Sequence, residues 1–140
     1  MMGITQLRGL QAETAILNRL IQLGYEVLHP WNSSLSYDLA YVVDKEGGTT
    51  EFVRVQCKLA WLSNNGACLT FNISTAAEWG RKSHNYHGKA EWFGVYSPDT
   101  GRVYMVAVAE TGTGAHMVLR LAPPRNNQQK NIKWAKDYEL

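Results

Sequence analysis

Apolar residues along this chain change their period several times, and each change marks a predicted element. From Gln6 to Leu23 they recur at helical spacing: Ala12, Ile16, Leu20 and Leu23 form a stripe that Leu17 and Ile21 widen. Gly24 stands where a helix-ending glycine belongs. Glu13 precedes Ile16, Leu17 and Leu20 by three, four and seven residues, so its carboxylate is in line with the stripe and aims at whatever the helix packs on. Arg8 is near enough to pair with it, and an exposed acid near a helix end is the plainer alternative.

Beyond the helix the period shortens to two. Tyr25 to His29 reads as a short strand ended by Pro30, and Trp31 to Ser36 as a loop. Two strands follow, Tyr37 to Val43 and Phe52 to Lys58, joined by the turn Asp44 to Gly48. Along the second, Val53, Val55, Cys57 and Leu59 share one face, and Phe52, Arg54, Gln56 and Lys58 share the other. A row of polar groups on an otherwise central-looking strand either meets water or builds a site.

The remaining chain is mostly strand. Trp61 to Ala67 contains Asn64-Asn65-Gly66 and predicts a tight turn, from which Cys68 to Ile73 pairs back. Ser74 to Lys89 is polar; a helix starting near Ser74, with Thr75 and Glu78 in its first turn, is the favoured reading there. Glu91 to Tyr96 and Arg102 to Val108 are core strands around the turn Ser97 to Gly101. Met117, Leu119 and Leu121 alternate with His116, Val118 and Arg120 as a last strand, broken by Pro123-Pro124. Asn131 to Tyr138 suggests a closing helix packed through Trp134.

A chain of 140 residues without repeats, linkers or low-complexity stretches reads as one domain, 1–140, able to bury its own core. Hydrophobic content of 45% and charged content of 19% are those of an ordinary globular protein. No apolar run has spanning length and no signal-peptide pattern opens the chain, so a cytoplasmic, non-membrane protein is expected. Two cysteines make neither a disulfide framework nor a zinc knuckle, and Cys57 reads as a buried thiol. The net charge of +2 is too small to imply nucleic acid, although Arg120, Arg125, Lys130, Lys133 and Lys136 form a run without acids. His84 and His87 lack the further ligands of a zinc site, and Gly112 and Gly114 lack the context of a phosphate loop.

The chemistry concentrates on the two central strands. Asp38 opens the first, and Gln56 and Lys58 lie two residues apart on one face of the second, about 7 Å along the strand. If the strands pair with those faces alike, the three converge, and Glu13 from a helix on that side reaches the same place. Carboxylates, an amide oxygen and the main-chain carbonyl of Cys57 are hard ligands that suit Mg²⁺ or Mn²⁺ and do not suit zinc. Alone, Lys58 is equally well a solvated strand lysine and Asp38 a plain strand-start acid.

Together, Ala12-Glu13, Tyr37-Asp38-Leu39 and Val55-Gln56-Cys57-Lys58 resemble the layout of the PD-(D/E)XK nuclease superfamily: a helix with a Glu, an Asp opening one strand, and acid-or-Gln-x-Lys on the next. The likeness is to its small branch that includes a group I intron homing endonuclease with Gln in the middle position, and more distantly to archaeal Holliday-junction resolvases. It continues through Trp92 to Pro98, the Val103-Tyr104 strand, Leu119 to Leu121 and the tail from Asn126 to Tyr138.

This resemblance implies an α/β fold with a restriction-endonuclease-like core: an N-terminal helix, then a central mixed β-sheet flanked by helices. It implies a Mg²⁺- or Mn²⁺-dependent endonuclease acting on double-stranded DNA; a chain this small covers few base pairs alone, so a long or branched target calls for a dimer or tetramer. Asp38 would bind metal with Gln56 and the Cys57 carbonyl, Glu13 would hold a second metal or its water, and Lys58 would orient or deprotonate the attacking water. Arg8 and Arg54, then Arg81, Lys82, Arg120 and Arg125, are the candidate phosphate contacts. Two departures stand out: Gln56 replaces the usual acid and removes a negative charge, and Tyr37 replaces the usual proline. The competing functions are a four-way-junction resolvase and a DNA-binding or assembly module whose metal site Gln56 has disabled.

Overall fold

A computed structural model describes residues 1–75, 82–126, 128 and 130–140. Helix α1 (Ile4–Gln22) buries Ala12, Ile16 and Leu20 of the predicted stripe and half-buries Leu17, whereas Ile21 and Leu23, at the helix end, are exposed. It stops because Gly24 takes φ +90°, which lets the N–H groups of Gly24 and Tyr25 turn back to the carbonyls of Ile21 and Leu20 at 2.9 and 3.1 Å.

Strands β1 (Val27–Leu28), β2 (Leu39–Asp44), β3 (Thr50–Leu59), β6 (Trp92–Ser97) and β7 (Arg102–Ala107) form a mixed sheet in the order β1-β2-β3-β6-β7. Only the β3–β6 pair is parallel. A parallel pair needs a long crossover, and here the crossover carries structure of its own. It includes β4 (Trp61–Ser63) and β5 (Cys68–Asn72), which join β8 (His116–Arg120) in a three-stranded antiparallel sheet. The hairpin between β4 and β5 turns on Asn64, Asn65 and Gly66, all at positive φ.

The two faces of the large sheet are covered differently. On one, Ile16 and Leu20 of α1 pack with Leu39, Val55 and Val103. Each such fully buried aliphatic side chain contributes about 2 kcal/mol. The helix comes so near that a Cβ on Gly94 would lie 2.8 Å from Cγ2 of Ile16. On the other face Phe93, Val95, Tyr104 and Val106 meet Leu69, Phe71, Met117 and Leu119 of the small sheet. Phe71, Phe93 and Tyr86 stack edge-on, with centroids 5.9 and 5.5 Å apart.

The helix-then-mixed-sheet core is as anticipated, with three local differences. Among the described residues α1 is the sole α-helix, and the second face carries the small sheet where a flanking helix was anticipated. The closing helix over 131–138 is reduced to a 3₁₀ turn at Ala135–Asp137, because the N–H of Arg120 takes the Lys133 carbonyl at 2.7 Å and holds that stretch extended. Ser74 does not begin a helix: it bridges Asn85, and the Thr75 N–H donates to the carbonyl of His84. Residues 76–81, Glu78 among them, lie outside the described residues, and 82–89 are described without a helix.

Candidate active site

The site arises where β3 outruns β2. Their last paired residues at that end are Leu39 and Val55, after which the Asp38 N–H still donates to the Val55 carbonyl at 2.9 Å. Cys57, two residues further, faces the same way and has no residue of β2 opposite it. The Asp38 carboxylate fills the gap, and its Oδ2 accepts the Cys57 N–H at 2.9 Å. In an extended strand a residue's N–H and C=O point to the same side, so the Cys57 carbonyl faces this gap as well.

Gln56 and Lys58 project from the face that packs on the small sheet, opposite Phe93 and Val95 in the parallel register. The Lys58 ammonium donates to the hydroxyl of Tyr86 at 3.2 Å and lies 4.7 Å from the centroid of its ring. Among the described residues Lys58 has no carboxylate within ion-pair distance. Glu13 arrives from the other side. Helix α1 covers the Val55/Cys57/Leu59 face, not the Gln56/Lys58 face, so Glu13 reaches Asp38 around the rim of the sheet. That corrects the expectation of a helix on the polar side. Glu13 Oε1 also meets His29 Nε2 at 2.8 Å.

These groups feel one another's charge. Burial raises the Asp38 carboxyl above its ordinary value; the Cys57 N–H opposes this, Glu13 adds to it, and Lys58 and His29 oppose it. Burial lowers Lys58, with Asp38 pulling it back up. Burial, reinforced by Asp38 and Glu13, pushes the Cys57 thiol far up, so it is an inert packing group under α1.

Residues 4–140 match the PD-(D/E)XK endonuclease family. The chain belongs to that family. Among solved structures, the PD-(D/E)XK chain is similar to "The structure of a bacterial homing endonuclease: I-Ssp6803I", with a TM-score of 0.68 and 23% identity over 99% of this chain and 88% of that one. At that identity the likeness speaks for the fold. No curated protein matches the sequence.

Of the predicted residues, the structure brings Glu13 and Lys58 within electrostatic reach of Asp38, with Gln56 on the same strand face as Lys58. Among the described residues no three His, Cys, Asp or Glu side chains cluster to hold a metal. The gap holds the Asp38 carboxylate and the side of β3 that carries the Cys57 N–H, with Glu13 close enough for Asp38 to feel its charge and Gln56 on the strand face of Lys58. The candidate phosphate contacts divide. Arg8, Lys82 and Arg125 are exposed. Arg54 is engaged by Glu91 through contacts of 2.6 and 3.1 Å, and Arg120 donates to the Ala122 carbonyl at 2.7 Å, so both side chains are held within the fold. Arg81 lies outside the described residues.

Two residues of the site escaped sequence reasoning. In the sequence His29 reads as the end of a strand and Tyr86 as part of a polar segment. No spacing links either to the motif, because both arrive through tertiary contacts.

Proposed function

We propose that this PD-(D/E)XK chain, acting as one domain in the cytoplasm, is a metal-dependent endonuclease that hydrolyses phosphodiester bonds of double-stranded DNA in the manner of a homing endonuclease. One observation carries the reading: an acid and a base, Asp38 and Lys58, sit partly buried at the same sheet rim, and among the described residues neither is ion-paired with the other or with a structural partner. Holding unpaired charges out of water is costly, and a site that binds a cation and a phosphate recovers that cost.

The donors fit Mg²⁺ or Mn²⁺. Asp38 uses Oδ2 for the Cys57 N–H, and among the described residues its Oδ1 and the Gln56 amide oxygen have no hydrogen-bond donor. Asp38, Gln56 and the Cys57 carbonyl would hold the ion, with Glu13 at a second ion or its water. When bound, such an ion supplies Lewis acidity toward a phosphoryl oxygen and added acidity for the attacking water. Cys57 N–H fixes the Asp38 carboxylate. Lys58 orients the attacking water and offsets charge that grows on the phosphate oxygens. Arg8, Lys82 and Arg125 contact DNA phosphates, and fully exposed Trp31, in the loop before Asp38, is placed to stack on a base. A chain this small covers little duplex, so a dimer or tetramer sets two sites across the target.

The neutral amide at Gln56 favours one alternative, a DNA-binding module without cleavage. Incubation with plasmid and with a four-way junction, in Mg²⁺, Mn²⁺ or EDTA, tests both readings. Nicking or cutting of duplex that EDTA and Lys58→Ala abolish is the expected result. Cleavage indifferent to either change overturns the mechanism. Salt-sensitive DNA binding with no metal binding by calorimetry establishes the module, and junction-only cleavage establishes a resolvase.

A further inference from the structure

Lys58 ends in an ammonium on a flexible four-carbon stem, and a lysine so placed needs something to aim it. Among the described residues its hydrogen-bond partner is Tyr86, whose hydroxyl accepts from Nζ at 3.2 Å while its ring lies 4.7 Å from the same nitrogen. We propose that Tyr86 is the positioning residue of this site, holding the Lys58 ammonium at the Asp38 rim through a hydroxyl and a ring face together. The proposal rests on the nuclease reading above.

Tyr86 is built to stay still. It is 6% exposed, its ring meets Phe93 edge-on at 5.5 Å, and Phe93 meets Phe71 in turn. Its own carbonyl accepts the N–H groups of Lys89 and Ala90 at 2.9 and 3.3 Å, and the neighbouring Asn85 is bridged to Ser74. The aromatic cluster therefore links the core between the two sheets to the reacting end of Lys58. The chemistry of the partner matters as much as its rigidity. A carboxylate in the same place would orient the ammonium but cancel its charge and compete with the substrate phosphate. A phenol and a π face orient it and leave the charge available.

Two measurements test the assignment. In the unaltered protein, NMR should show nuclear Overhauser contacts between the Lys58 Cε protons and the Tyr86 ring. Tyr86→Phe keeps the ring and its packing and removes only the hydroxyl. Its expected effect is about a tenfold fall in kcat, with KM, DNA affinity in EDTA and the unfolding midpoint unchanged. The Lys58 ammonium signal should also shift. A residue that served packing alone would move the midpoint and leave kcat per folded molecule intact. Absence of the Lys58–Tyr86 contacts, or a folded Tyr86→Phe protein with wild-type kcat, overturns the proposal. If the unaltered protein cleaves nothing, the nuclease reading fails, and the NMR contacts decide separately whether Tyr86 holds Lys58.

Discussion

Arg54 and Lys58 stand on one face of one strand, yet the protein treats them in opposite ways. Arg54 is fully answered: Glu91 reaches its guanidinium at 2.6 Å, takes its main-chain N–H at 2.6 Å, and holds itself in place through its own N–H to the Arg54 carbonyl. That bidentate pair drives Glu91 below the ordinary carboxylate range and ties the start of β6 to the middle of β3. Lys58 is more buried, and its hydrogen-bond partner among the described residues is a neutral phenol. On the nuclease reading proposed above, position on a polar strand face does not distinguish a catalytic cation from a structural one. What distinguishes them is whether the fold has already supplied the counter-charge.

Substitutions can break or sharpen that contrast, beginning with the greatest effect. Lys58→Met should lower DNA cleavage by about a thousandfold or more while leaving the unfolding midpoint level or slightly raised, since it removes a desolvated charge. A loss of stability of the same order as that of a core cavity would make Lys58 a structural residue after all. Gly94→Ala probes the opposite face as a control: its new Cβ meets Ile16 at 2.8 Å and Val55 at 3.1 Å, so denaturant titration should show a loss of about 1–3 kcal/mol.

Asp38→Asn should abolish cleavage and raise the midpoint by a few degrees at neutral pH. Its pH dependence has a definite sign. Burial, with Glu13 adding to it, outweighs the Cys57 N–H, Lys58 and His29 and raises the Asp38 carboxyl in the folded state. The native protein therefore carries no penalty from this group below the usual carboxylate range and loses stability as pH climbs through the raised value. The gap between the Asn protein and the native one should widen over that window and then level off; a gap that narrows would reverse the account. Arg54→Gln should have the smallest effect, about 1 kcal/mol or less because the pair is partly solvated, with cleavage within a few-fold of normal. A large fall in DNA affinity would instead return Arg54 to the phosphate contacts.

How much of this was readable beforehand depends on the range of the interaction. The α1 stripe, its glycine stop and the alternation along β3 are local, and each appears in the sequence as it does in space. The three-residue strand β4 hides beside its Asn-Gly turn, and the second sheet follows from a parallel pairing that no local pattern reports. The tail misled because Trp134 and its neighbours follow a helical rhythm, while the Arg120 N–H decides their conformation from another strand. At the site, Asp38 and Lys58 were visible as a motif. Tyr86 was not, since 28 residues separate it from Lys58, and Glu13 was placed on the wrong side because helix periodicity gives direction without saying which face of the sheet receives it.

The short reach of β2 has one more consequence. At Cys57 the groups turned toward Asp38 belong to the peptide backbone, while the side chain is tucked under α1. Evolution can exchange that side chain for anything the helix will cover without erasing its contribution to the gap. Between the candidate site residues Gln56 and Lys58, the protein keeps a position whose main-chain contribution survives any substitution that preserves the strand and its N–H.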